Sequence, residues 1–207
     1  RDALTSAWQA GIFDGGEMLA DVLRFLARRQ GTRVDPERDE EPGRILNQAK
    51  LDPLSRLGVT PFRRNYADFA SPFMFIVGLG YHFSLTGDRE SLREHWEAAR
   101  QVLAWARDYG DLDGDGYLEY QTVSSQGPTH QGWKDSENAV VDESGRQVAT
   151  PIATCDVQGY YYAALQFAAV VSGLLGERRE ARSLWRQARR LKERFNRDFW
   201  MEEEGFV

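Results

Sequence analysis

Residues 129–138 read THQGWKDSEN, which sets a histidine, a tryptophan, a lysine and two carboxylates between glycine-containing segments. Asp135 is the candidate proton donor. A carboxylic acid that donates near neutral pH needs partial removal of water to raise its pKa. Trp133 offers an apolar wall and a face on which a sugar ring stacks. Lys134 opposes a raised pKa if it turns inward, because a cation favours the carboxylate; its ammonium can instead bond substrate hydroxyls. By residue type alone the stretch also reads as a polar surface turn.

Other groups could share this chemistry. Asp2, Asp68 and Asp156 each stand at or just before the start of an apolar helical segment, with Gln158 in the first turn of the last one. Helix capping and compensation of the helix dipole account for such carboxylates; three of them at one mouth is also what a binding rim requires. RDEEPGRI (38–45) brings Glu40 and Glu41 to a Pro-Gly turn. DLDGDGYLEY imitates a calcium loop through Asp111, Asp113, Asp115 and Gly116, but the twelfth position is Thr122 where an EF-hand needs a bidentate glutamate. A tight Asp/Gly turn is the plainer reading. His82, His95 and His130 have no metal-ligand spacing, GLG at 78–80 lies inside an apolar run, and Cys155 has no activating base nearby in sequence.

Six helical segments position these groups, and they come in pairs: 2–13 with 17–29, 70–84 with 89–108, and 156–174 with 177–199. Glycine at each tight turn provides the stop. In the last segment Ala181, Leu184, Trp185, Ala188, Leu191 and Phe195 form one apolar stripe on a charged helix. The segments 70–84 and 156–174 are apolar nearly all round, which predicts burial on most sides. An inner helix followed by an outer one, repeated, describes a two-ring α-toroid. A solenoid of helix pairs fits less well, because the pairs are unevenly spaced. The connections between pairs, 30–69 and 109–155, are long enough to be functional, and all emerge on one rim.

Composition narrows the function further. The net charge is −6 and the basic run at 177–197 is interleaved with acids, so it is a solvated helix face and no nucleic-acid partner is expected. No apolar run approaches about 18 residues without polar breaks, so no membrane partner is expected either. One cysteine permits no internal disulfide, which fits a reducing, cytoplasmic location, although a single cysteine is also common outside the cell.

Taken in order, RD (1–2), RDEEPG (38–43), QGWKDS (131–136) and VQGY (157–160) resemble bacterial amylo-α-1,6-glucosidase-like proteins. These stand with the glycogen-debranching and mannosylglycerate-hydrolase-like six-hairpin glycosidases. The resemblance spans essentially the whole chain. It implies an all-α (α/α)6 toroid of which about half is present, residues 1–207 being the N-terminal half of the catalytic domain and the remaining half of the barrel its partner. It implies an inverting glycosidase acting on an oligosaccharide or glucoside through α-glucosidic linkages, without a cofactor or metal. Asp135 matches the general acid, and the general base is expected in the later hairpins. Arg1, Asp2, Glu40, Glu41, Asp68, Gln131, Trp133, Lys134, Asp156 and Gln158 fall on motif positions implied to bind substrate or brace the rim. There are departures: Asn47 and Gln48 where His-Glu is frequent, Phe69 where an Asp is frequent, and Asp156 in place of Glu. A carbohydrate-binding or scaffold toroid without catalysis, and a calcium-dependent structural module, are the alternatives.

Overall fold

The computed structural model describes residues 1–50, 52–59 and 63–207. The described elements are α1 (Asp2–Asp14), α2 (Glu17–Ala27), α3 (Pro53–Arg56), α4 (Ala70–Thr86), α5 (Arg89–Trp105), α6 (Cys155–Leu174) and α7 (Arg178–Asp198). A two-residue antiparallel pair, β1 (Gln48–Ala49) on β2 (Arg64–Asn65), lies in the first long connection, with Gln48 opposite Asn65. The fold is all-α, as expected. Among the described residues no helix is long and apolar enough to cross a membrane.

Local chemistry explains where the helices begin and end. Asp88 accepts the amides of Glu90 and Ser91 at 2.8 and 3.2 Å, capping α5. Gly87 before it takes φ 69°, the left-handed conformation that closes α4. Asp14 bridges α1 and α2 by accepting from the Gly16 and Met18 amides. The expected helix over 89–108 is α-helical only to Trp105; Ala106–Gly110 continue it as a wider π-helical turn.

The three expected hairpins are present as α1/α2, α4/α5 and α6/α7, and their first helices form one row, α1 on α4 and α4 on α6. Helix α4 is buried along most of its length, including Phe73, Phe75, Ile76 and Leu79. Helix α7 buries only its stripe, Ala181, Leu184, Ala188 and Leu191. The second helices α5 and α7 are tied by Arg100 and Trp96 of α5, which both donate to Glu177 just before α7. Across the first helices Trp8 stacks on Tyr81 with ring centres 4.3 Å apart, and Tyr81 meets Phe167 at 5.1 Å. Ile12 and Phe13 of α1 and Met18 and Phe25 of α2 are exposed.

Close helix approach at α4 depends on a missing side chain. A Cβ at Gly80 would overlap the Phe167 ring. Gly80→Ala is therefore expected to destabilise the fold by about 1–3 kcal/mol through overpacking. Urea unfolding monitored by circular dichroism checks this; an unchanged midpoint would mean that the ring swings away freely.

Residues 111–116 form the tight turn. Asp111 accepts from the Gly114 and Gly116 amides, Asp113 from Asp115 and Asp115 from Tyr117. No EF-hand follows, because the chain from 117 to 154 contains no helix.

Candidate active site

The starts of α1, α4 and α6 meet the 131–135 loop at one rim. The Arg1 backbone nitrogen donates to Ser71 Oγ at 2.8 Å, joining α1 to α4. The Phe69 amide donates to the Gln131 carbonyl at 2.8 Å, joining α4 to the loop. The Trp133 amide donates to Asp156 Oδ2 at 2.7 Å, joining the loop to α6. Arg1 completes the circuit, with Nη1 donating to the carbonyls of Gly132 and Trp133 and its guanidinium 4.7 Å from the Trp133 ring centre.

Asp135 comes last on this loop. Its carboxylate is 3.5 Å from Arg1 Nη2 and its side chain is 59% exposed, open to solvent. It lines a cleft of about 1050 Å³ together with Arg1, Asp2, Asn47, Gln48 and Gln126. Behind the loop is a second cleft of about 870 Å³, lined by Trp133, Lys134, Asp156, Tyr160 and Phe199 among others. Burial works to lower the Arg1 pKa, but Asp68, then Asp2 and Asp135, outweigh it and hold the guanidinium above its ordinary value. Burial, helped by Asp156, raises the Tyr160 phenol, and pushes Tyr120 up to about 12.

The expected site residues fall into two groups. Arg1, Asp2, Trp133, Lys134 and Asp135 line the clefts, with Asp2 paired to Arg1 Nε at 3.1 Å. Gln131, Gln158, Glu40 and Asp68 are buried. Gln131 accepts from Arg44 and donates to Thr122. Gln158 both accepts from and donates to the Leu118 backbone. Asp68 caps α4 by accepting from Ala70, Ser71 and the Ser71 hydroxyl. Glu40 accepts the Thr32 amide, and Glu41 takes Trp105 Nε1 at 2.6 Å and Arg44 at 3.3 Å. In all five, polar atoms are engaged by protein groups beneath the rim, the bracing arrangement that their motif positions also allow. Asp156 lines the second cleft but commits one oxygen to Trp133.

Sequence reasoning missed the groups beneath the loop. Arg44 is 2% exposed, donates to the Asp39 carbonyl, Glu41 and Gln131, and lies against the Phe69 and Trp105 rings. Phe69, the departure noted above, is thus part of a buried stack. Asp39 holds the 120s loop by accepting from the Val123 and Ser124 amides. The available signal was Arg44 directly before Ile45 and Leu46, a cation entering an apolar run.

A family model described as the bacterial alpha-L-rhamnosidase 6 hairpin glycosidase domain matches residues 72–207. No curated protein matches the chain. The matched span takes in α4 to α7 and the whole 131–135 loop, while the α1/α2 hairpin and RDEEPG precede it. The hairpin row, the rim loop with its exposed carboxylate, and this match agree: the chain belongs to the bacterial alpha-L-rhamnosidase six-hairpin glycosidase domain family, a family of glycoside hydrolases.

Proposed function

We propose that this domain hydrolyses α-linked glycosides with inversion, Asp135 protonating the departing glycosidic oxygen. The observation that carries this reading is the exposed Asp135 carboxylate on the wall of an open cleft, on a loop fastened to two of the first helices. A sugar filling the cleft displaces water from the carboxyl group, and desolvation favours the protonated acid. Asp2, Asn47 and Gln48 on the same wall offer a charged acceptor and two carboxamides to sugar hydroxyls. Inversion needs a second carboxyl group across the ring, roughly 6.5–9.5 Å away, to activate water. The reading places that group in further hairpins that complete the barrel.

The order of the RDEEPG, QGWKDS and VQGY motifs supports an α-glucosidic linkage, as in amylo-α-1,6-glucosidase-like proteins. The family match supports α-L-rhamnosidic linkage as a second reading. Both are tested on the protein with the hairpins that complete its barrel, by offering 4-nitrophenyl α-glucoside, 4-nitrophenyl α-L-rhamnoside and isomaltose, and following the first-formed anomer by NMR. Release of the inverted sugar from the glucosides supports the first reading, and release from the rhamnoside alone supports the second. Sugar binding without hydrolysis of any of the three would replace both with the non-catalytic binding toroid.

A further inference from the structure

We propose that Asp156 is a positioning residue for Asp135, acting with Arg1 on a single peptide group; this rests on the reading of Asp135 as proton donor. The carbonyl of Gly132 and the N–H of Trp133 belong to one planar trans peptide unit and point in opposite directions. Arg1 Nη1 donates to that carbonyl at 3.3 Å, and Asp156 Oδ2 accepts from that N–H at 2.7 Å. A cation at the oxygen end and an anion at the hydrogen end follow the peptide's own dipole, so the plane is held at both ends by charge-assisted bonds.

Two further contacts extend the hold towards the acid. Arg1 also donates to the Trp133 carbonyl at 3.4 Å and stands 3.5 Å from the Asp135 carboxylate. The orientation of the 132–133 plane therefore passes to Asp135 over two residues. The site is fitted closely: a Cβ at Gly132 would stand 3.0 Å from Asp156 Oδ2, so a side chain there would push the carboxylate back by a few tenths of an ångström from the next amide. Asp156 is itself fixed in the first turn of α6, an element of the buried row and not of the loop. Its oxygen is thus a reference point outside the segment it orients.

The test uses the protein together with the hairpins that complete its barrel, and a glycoside it cleaves whose leaving group is a sugar, so that departure needs the proton. Asp156→Ala is expected to lower kcat by about 10²-fold, the scale of a misplacement near 1 Å, with a much smaller change in KM. Asp156→Asn keeps an acceptor oxygen of the same shape without the charge, and is expected to lose roughly ten-fold. A readout free of catalysis is the Trp133 amide proton in ¹⁵N-resolved NMR. It is expected downfield in the wild type, and upfield in Asp156→Ala and, by less, in Asp156→Asn. A rise in KM at constant kcat would make Asp156 a sugar contact and overturn the proposal. So would an unmoved Trp133 amide. Turnover retained by Asp135→Asn would instead remove the proton-donor reading, while the amide shift still reports on the peptide hold. If Asp156→Ala does not fold, the isosteric Asn variant decides by both measurements.

Discussion

Asp135→Asn is expected to lose about 10²–10⁴-fold in kcat on an unactivated glycoside while still binding the sugar, the range that general acid catalysis contributes. The carboxamide keeps the shape and an acceptor oxygen for Arg1, 3.5 Å from the native carboxylate, so the loop is expected to keep its path. What it lacks is an acidic proton. The loss should therefore depend on the leaving group. A 2,4-dinitrophenolate departs without protonation, so the variant's deficit on that glycoside should shrink by orders of magnitude relative to a sugar leaving group. Parallel kcat measurements on the two substrates check this. Equal deficits on both would assign Asp135 to binding or loop geometry, and near wild-type turnover on the sugar substrate would end the assignment altogether.

The contrast between Asp135 and its neighbours shows how far residue type alone can be read. Periodicity carried the helices because burial of a helix face is written in the spacing of its own residues. Helix α4 is apolar all round and buried on most sides, and α7 buries one stripe. The long connections were legible for the same reason, since no apolar period runs through them. The division of polar residues between cleft and foundation was not legible. Gln131 and Trp133 are two positions apart, yet one is buried and the other exposed. What decides this for Gln131 is Arg44, 87 residues earlier in the chain. A glutamine that binds a sugar hydroxyl and one that receives a buried guanidinium have the same local signature. Likewise Asp68 and Asp156 both precede or open inner helices, but Asp68 spends its oxygens on its own helix and Asp156 spends one on the loop.

Removing the Arg44 guanidinium is expected to have the largest effect on stability. Arg44 is fully enclosed, and burial pulls its pKa below the ordinary value while Glu41, Asp39 and Asp68 pull back. Its Nη1 donates to the Asp39 carbonyl at 3.1 Å and to Glu41 at 3.3 Å, and Nη2 donates to Gln131. Nε, with no partner among the described residues, marks the residual cost of burying the group. Arg44→Met fills much of the volume but strands the Asp39 carbonyl and the Gln131 amide oxygen, and leaves Glu41 with only Trp105 Nε1 among these donors. Breaking one side of such a buried pair costs about 3–5 kcal/mol. At about 2 kcal/mol/M in urea, that moves the unfolding midpoint down by roughly 2 M. Arg44→Lys should recover only part of this, because an ammonium cannot reproduce the planar fork or its stacking on Phe69 and Trp105. The alternative physics is definite: buried ion pairs replaced whole by apolar groups can be neutral or stabilising. Hence Arg44→Met combined with Glu41→Leu should regain part of the stability but not the turnover, since Gln131, two residues before Trp133, still lacks its donor. A single Arg44→Met variant as stable as the wild type would show that the 131–135 loop stands without this brace.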